Sequence, residues 1–578
     1  MELLSGNEAI ARGAWEAGAT IGVAYPGTPS TETMENFGKY EDVYAEWCTN
    51  EKVAVEVGMG ASMAGRRVLS TMKHVGVNVA ADPLFTAAYT GIGGGFVILA
   101  ADDPGMHSSQ NEQDSRYYAM AAHIPMLDPA DSSEALKFTR DAYELSERFD
   151  TPVMIRSNVR VSHTRCLVEV GEKVPFEPKP YKKDASKYVM MPLYAKVRRV
   201  VLEQRVADMK AFVEECEYNK VVEGTNNEIG VICAGSTYQH VIEALPEANV
   251  LKIGVSWPLP EKKIRDFAAS VKDVYVIEEG SEYLSNQVKA LGVTLSETLR
   301  PLKPEGELTP GLISYAFGKD IPSHIESPED LPPRPPALCP GCPHRPVFRE
   351  LHRIHAIVTG DIGCYTLGAL APLEGIDSVL DMGASVSMAH GVELALQDKA
   401  HNPVVAVIGD STFAHSGASS LLNTVYNCGT GTVCILDNRT TAMTGRQGNP
   451  VNGVTLQGRP SRELDLPAFV RSMGVDDVRV VDPQDLEAVK RELGDATKND
   501  HLTVIIFKSP CVLLERKQRE KYWINANCRG CGICTTLGCP AISRDSESRL
   551  ASIDPSLCCG CSQCSQLCPF DAIVHEGK

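Results

Sequence analysis

The sequence predicts a multidomain α/β protein, with parallel sheets flanked by helices in three blocks and a small cysteine-rich module at the C-terminal end. Three observations predict this. Apolar strand patterns alternate with helix-period segments through most of the 578 residues, the pattern of sheets built by crossover connections. Prolines at 332, 333, 335 and 336 interrupt that alternation, and repeated proline favours extended, poorly packed chain. Nine of the 19 cysteines fall between Cys528 and Cys568.

The first block spans 1–166. Its apolar runs Phe96 to Ala100 and Thr151 to Ser157 read as strands, and Ser132 to Phe149 as a helix. A polar, Lys-rich stretch marks a connecting segment over 167–227, in which Lys196 to Arg205 reads as the solvated face of a helix. The second block, 228–305, is smaller and repeats the strand and helix pattern from IGVICAG to VYVIEEG. The Pro-rich linker covers 306–338, the third α/β block 339–515 and the cysteine module 516–578. Domains of about 100 to 200 residues fit this division.

Composition narrows the function. A formal net charge of -18 argues against a nucleic-acid partner, because phosphate binding needs a basic face. No apolar run approaches the ~18 residues of a membrane span, and MELLSGNEAIARGAW lacks the basic start and apolar run of a signal peptide. A cytoplasmic location is expected, where 19 cysteines imply metal or redox chemistry rather than disulfides.

The cysteines fall into two runs, Cys528, Cys531, Cys534 and Cys539-Pro540, then Cys558, Cys561, Cys564 and Cys568-Pro569. The second fits the bacterial ferredoxin pattern, in which three close thiolates hold one [4Fe-4S] cube and the fourth crosses to the other. The expected sets are Cys528, Cys531, Cys534 with Cys568, and Cys558, Cys561, Cys564 with Cys539. Cys559 is left over, and the first run has one extra residue before its last cysteine. Two zinc sites are the alternative. Clusters would make this module a one-electron wire, and a wire needs a source.

In the third block, Val404 to Ile408 reads as a strand, followed by a polar loop, a helix from about Ser416 to Tyr426, and a strand from Thr432 to Leu436. A right-handed crossover brings the ends of both strands to one edge, where open sheets bind ligands. Asp410 and Asn438 lie just past those ends and suit one hard cation that also binds diphosphate oxygens. The spacing resembles the thiamine diphosphate signature, a Gly-Asp pair followed a little under thirty residues later by Asn. Here the pair is Gly409-Asp410, Ser411 stands where that signature usually has Gly, and the carbonyl of Thr440 is the expected third protein ligand of Mg²⁺. A capped polar turn is the alternative.

Thiamine chemistry also needs a carboxylate beside the aminopyrimidine. AEWCTNEKVAVEVGMGASMAG in the first block opens a small-residue helix with Asn-Glu, resembling thiamine pyrimidine-domain helices and placing that carboxylate at Glu51. Glu56 competes, but lies roughly 140° around the helix if each residue turns about 100°. Gly58, Gly60 and Gly65 are read as allowing backbone to approach the ligand. Glu51 could instead serve only the helix dipole.

YPGTPSTE, NEKVAVEVGMGAS, TMKHVGVNVAADPL, ADDPGMHSSQNEQDSRYYA, CPGCPHR, GDSTF and LDNRTTAMTG together resemble the 2-oxoacid:ferredoxin oxidoreductases, and within them the alpha subunits of the indolepyruvate branch. The likeness covers nearly the whole chain. It implies pyrimidine and diphosphate domains for thiamine, a smaller transketolase C-terminal-like domain between them, and a 2[4Fe-4S] ferredoxin domain. It also implies oxidative decarboxylation of an aryl 2-oxoacid, with electrons leaving singly through the clusters to ferredoxin and coenzyme A taking the acyl group. Thr28 and Arg116 match substrate-facing positions, although Arg116 could equally make a surface salt bridge. His74 and His107 are pocket candidates.

The resemblance places Cys342 and His344 near the cofactor without a metal of their own. Backbone N–H groups of Gly360 to Gly368 and Asp381 to Gly391 are expected at the diphosphate. A smaller beta subunit is implied as well, in a heterodimer or dimer of heterodimers. The alternatives are a related oxidoreductase for pyruvate or branched-chain 2-oxoacids and, from another class, an electron-transfer subunit without thiamine catalysis.

Overall fold

The structure is a computed structural model that describes residues 1–303, 305–319, 331, 335–396, 402–514 and 519–575. Part of the expected Pro-rich linker, including prolines 332 and 333, lies outside the described residues. The chain divides into two compact units, Met1–Ser327 and Pro328–Lys578.

The first unit is built on a seven-stranded sheet. Its strands run in the order Val255–Trp257, Met126–Leu127, Val153–Asn158, Phe96–Asp102, Val68–Lys73, Ile21–Ala24, Tyr44–Trp47. All neighbours are parallel except Val255–Trp257, so the central strands are buried on both faces and read as unbroken apolar runs. Phe96–Asp102 has every residue buried. The helix predicted over Ser132 to Phe149 is found with those bounds, capped by Asp131 accepting from the Glu134 N–H. A short antiparallel pair, Glu2–Ser5 with Arg165–Val168, ties the start of the first block to its predicted end. The smaller block forms its own sheet from Asn226–Ala234, Ala248–Ile253 and Asp273–Val276, all parallel, with Lys220–Val222 antiparallel at one edge. It also lends Val255–Trp257 to the larger sheet.

The segment expected to be only a solvated helix face lies in the helix Pro192–Glu215, and it is anchored. Leu202, Arg205, Met209 and Val213 are buried, and Arg205 donates to the Ala88 carbonyl and Asp150.

The second unit holds a six-stranded, wholly parallel sheet in the order Ser378–Val379, Ile357–Gly360, Val404–Gly409, Thr432–Asp437, Thr503–Lys508, Asp477–Val481. The strand order reverses between Ile357–Gly360 and Val404–Gly409, which makes the crevice beyond their carboxyl ends the place where an open sheet binds ligands. The cysteine module follows as two small antiparallel pairs, Tyr522–Ile524 with Ile573–His575 and Ile542–Arg544 with Ala551–Ile553. Among the described residues, no helix is long and apolar enough to cross a membrane.

Candidate functional site

The cysteine module has little apolar core of its own, chiefly Leu537 and Ile573 with the thiols of Cys534 and Cys564. Its thiols surround space instead. Cys528, Cys531, Cys534 and Cys568 line one small cavity, and Cys539, Cys558, Cys561 and Cys564 line a second. Each of the two groupings expected from spacing therefore shares one cavity, including the crossing cysteines Cys539 and Cys568. Cys559 stands in the wall of the second cavity, as do Pro340 and Gly341 from the CPGCPHR segment. All 19 cysteines are free thiols. Among the described residues, no three His, Cys, Asp or Glu side chains converge as ligands of a single metal ion do. Thiols set around a hollow fit a four-iron cube, whose ligands stand apart on its corners, better than they fit tetrahedral zinc.

The switch-point crevice is lined by the residues that follow its two strands. Gly409 ends one of them, and a Cβ there would lie 2.6 Å from Tyr365 Cε1, so only glycine fits. The polar loop expected next is in fact helical: Asp410–Thr412 leads into a π-turn, Phe413–Gly417, and on into the helix Ala418–Tyr426. Such π-turns are frequent at functional sites. Asp410 is buried; its Oδ1 accepts the Ser411 N–H at 2.7 Å, while Oδ2 has no hydrogen-bond partner. Burial, and then the Asp437 carboxylate, push the Asp410 carboxyl well above the usual range.

A buried carboxylate oxygen without a partner is costly, and a divalent cation would satisfy it. Asn438 Oδ1 accepts the Thr440 N–H at 3.1 Å, and the Thr440 hydroxyl donates to the Gln447 carbonyl. Ser411 Oγ accepts from the Thr441 hydroxyl at 2.8 Å. His344 Nε2 lies 3.4 Å from Asn438 Nδ2, and burial pulls its imidazole down to about 4, leaving it neutral at pH 7. The donor set of Asp410, Asn438 and Thr440 therefore fits Mg²⁺ with diphosphate.

Part of the expected N–H cradle is already occupied. Asp361, just past Ile357–Gly360, accepts from the N–H groups of Ile362, Gly383 and Ser385. Asp361 thus ties the two Gly-containing stretches together through donors expected to face the diphosphate.

Sequence reasoning missed a third gathering of thiols. Cys339 and Cys364 pack on the core that contains Cys342. Burial raises Cys342 to about 12 and Cys364 to about 11, and Cys339 adds to both shifts; Cys364 adds to that of Cys342 and Cys511 to that of Cys364. The Cys511 N–H donates to the Asn438 carbonyl. CPGC offered no fourth ligand in sequence, because Cys364 and Cys511 are distant along the chain and only the sheet brings them near.

In the first unit, Glu51 opens the helix Glu51–Met63 and is buried; Asn50 caps the helix by accepting from the Val53 N–H at 2.9 Å. A Cβ on Gly76 would lie 2.6 Å from Glu51 Oε1, so that glycine makes room for the carboxylate. Glu56 is exposed and paired with Lys52. Two of the three glycines read as allowing ligand approach serve packing instead. Gly58 lies against the Phe96 ring, Gly60 meets open space, and Gly65, at φ +87°, abuts the Lys179 backbone.

Thr28 is half-buried in the turn after Ile21–Ala24, where a Cβ on Gly27 would lie 3.1 Å from Lys73 Cβ. Arg116 is not on the surface. It is 1% exposed and forks onto Asp114, with Nη1 3.2 Å from Glu278 and Nη2 donating to the Glu279 carbonyl. His74 is buried, with Nε2 3.2 Å from the Asn111 carbonyl, whereas His107 is exposed beside Glu307.

Three family descriptions match the chain: "Pyruvate flavodoxin/ferredoxin oxidoreductase, thiamine diP-bdg" over residues 12–232, "Thiamine pyrophosphate enzyme, C-terminal TPP binding domain" over 361–507, and "4Fe-4S binding domain" over 551–574. Fold and matched segments together define a thiamine diphosphate-dependent 2-oxoacid:ferredoxin oxidoreductase with iron–sulfur centres. An indolepyruvate oxidoreductase subunit IorA from Archaeoglobus fulgidus is 40% identical over 99% of this chain and 97% of its own length. Its counterpart from Thermococcus kodakarensis is 37% identical over 100% and 97%. The chain belongs to this family of indolepyruvate oxidoreductase IorA subunits. A solved 2-oxoglutarate:ferredoxin oxidoreductase from Magnetococcus marinus is 18% identical and covers 55% of this chain and 64% of its own, with a TM-score of 0.45, too loose to guide residue assignment.

Proposed function

We propose that the protein catalyses oxidative decarboxylation of aryl 2-oxoacids of the indolepyruvate and phenylpyruvate type to acyl-CoA and CO₂, passing two electrons singly to ferredoxin. The observation that carries the aryl preference is identity of 37–40% to six IorA subunits, each matched over 97% of its length. A 2-oxoglutarate synthase subunit KorA from Methanothermobacter marburgensis matches only 53% of this chain at 24% identity. Thiamine diphosphate, when bound, supplies the electron sink for loss of CO₂.

The chain's own residues supply position and charge. Glu51 would hold or release a proton at its carboxyl beside the aminopyrimidine of bound thiamine, and its burial excludes competing water. Asp410, Asn438 and the Thr440 carbonyl would hold Mg²⁺ with the diphosphate, and Gly409, Ser411, Cys342 and His344 would line the approach. Thr28 and Arg116 stand on the substrate side, Arg116 on condition that a substrate carboxylate replaces Glu278 in its fork.

Cys528, Cys531, Cys534 and Cys568 hold one cluster, and Cys558, Cys561, Cys564 and Cys539 the other. The mutual approach of Cys339, Cys342, Cys364 and Cys511 supports a further thiolate-ligated centre beside Asn438. An iron count separates the readings, with about eight atoms per chain from two clusters and about twelve from three.

We assign a smaller beta subunit as partner, since the relatives are named as subunits, in a heterodimer or dimer of heterodimers. The cytoplasm is the assigned compartment, because free thiols and clusters need reducing surroundings. The test is anaerobic methyl viologen reduction by the complex against a panel of 2-oxoacids, with and without coenzyme A. Indolepyruvate and phenylpyruvate are expected to lead; equal or better turnover of pyruvate or branched-chain 2-oxoacids would overturn the aryl assignment.

A further inference from the structure

Arg345 follows directly on CPGCPH and is 1% exposed. Among the described residues, every hydrogen-bond acceptor of its guanidinium is a backbone carbonyl. Nε donates to the Cys339 carbonyl at 3.1 Å, Nη2 to that of Leu338, and Nη1 to those of Leu537, at 2.9 Å, and Gly538. Among the described residues, no carboxylate pairs with it. Guanidinium stays charged in proteins, and a buried charge without a counter-charge is expensive.

The nearby groups able to carry negative charge are thiols. They are those of Cys539, Cys342, Cys339 and Cys561. The carbonyls of Leu537 and Gly538 lie just before Cys539. On the other side of the same loop, a Cβ on Gly341 would fall 2.2 Å from Cys559 Sγ and 3.5 Å from Cys561 Sγ. The CPGC loop thus presses on the wall of the second cavity, and the Gln563 side chain pins it by donating to the Cys342 carbonyl at 3.1 Å.

We infer that Arg345 is the buried counter-charge of the cluster held by Cys539, Cys558, Cys561 and Cys564, and that it raises that cluster's reduction potential. This rests on the cluster assignment above. Adding an electron makes a thiolate-ligated cluster more negative, so a fixed positive charge beside it favours the reduced form. The cluster pressed by the CPGC loop becomes the easier one to reduce, which suits electron entry from the diphosphate block. Arg345 is a positioning residue, since it acts through the cluster.

The test is an anaerobic, EPR-monitored redox titration of the reconstituted full chain as wild type, R345Q and R345K, repeated in a C528A background to assign the signals. In R345Q, the centre held by the Cys558 set should be at least tenfold less reduced at a given potential, a fall of about 59 mV for one electron. The Cys528 centre should hold its potential, and R345K should recover most of the loss. Iron-loaded R345Q with wild-type potentials overturns the proposal and leaves the cluster assignment intact. Failure of the wild type to bind iron overturns both. Should R345Q not load, R345K decides: a near-native potential supports the counter-charge, whereas the same failure marks Arg345 as a geometric clamp and overturns it.

Discussion

The diphosphate block and the cysteine module lie in one compact unit, yet they are completed in opposite ways. The block's sheet is packed without help, with Val405, Val407, Ile505 and Phe507 on one face and Ala406, Ile408, Ile435 and Ile506 on the other. Among the described residues of the block, one buried carboxylate oxygen, Asp410 Oδ2, lacks a hydrogen-bond partner. The module has a small apolar core and two cavities lined by its thiols. The block would then fold before it binds, and the module would be held together by what it binds, because so short a segment buries little apolar surface alone.

The largest expected effect breaks that comparison directly. Anaerobic iron removal should unfold residues 519–575 while the sheet of the diphosphate block keeps its protection, as read by hydrogen exchange. Loss of protection in both regions would show that the block too depends on iron. Next, E51Q should lower 2-oxoacid-dependent dye reduction by roughly 10²–10⁴-fold, typical of a lost acid–base group, while dithionite still reduces the clusters. Retained activity would favour an electron-transfer subunit.

D410N should abolish the rise in melting temperature produced by Mg²⁺ and thiamine diphosphate. The apo chain should meanwhile gain about 1–3 kcal/mol, since a desolvated carboxylate is removed. G409A forces a methyl onto Tyr365 and should cost about 1–3 kcal/mol without touching iron content.

The smallest effect is one of pH. Burial raises Glu279 from 4.5 to about 6, so between those values the folded state binds more protons than the unfolded one. Stability from this group is full below about 4.5 and is lost as pH rises through 6. E279Q should flatten that slope in denaturant titrations.

Much of this was legible in the chain, because the strong signals are local. Strand runs such as Phe96 to Ala100, the helix Ser132–Phe149, the Gly409-Asp410 turn and the CxxC steps each depend on neighbours within a few residues. What was not legible depends on topology. Cys364 and Cys511 join CPGC only because the ends of different strands meet at one sheet edge. Arg116 offered a surface salt bridge or a substrate grip as equal readings, and only the pairing of two blocks brings Glu278 and the Glu279 carbonyl to it. Gly58 and Gly65 carry the composition of a ligand-facing segment, but they pack on Phe96 and Lys179.

The central claim is that thiamine chemistry begun at Glu51 drains through iron and sulfur at residues 528–568. The most direct measurement mixes the anaerobic, oxidised complex with indolepyruvate and follows bleaching of the iron–sulfur absorbance. Bleaching that requires thiamine diphosphate and vanishes in E51Q, while dithionite bleaches both proteins, is the predicted result. Clusters that stay oxidised in the wild type during turnover, or that bleach equally in E51Q, would contradict it.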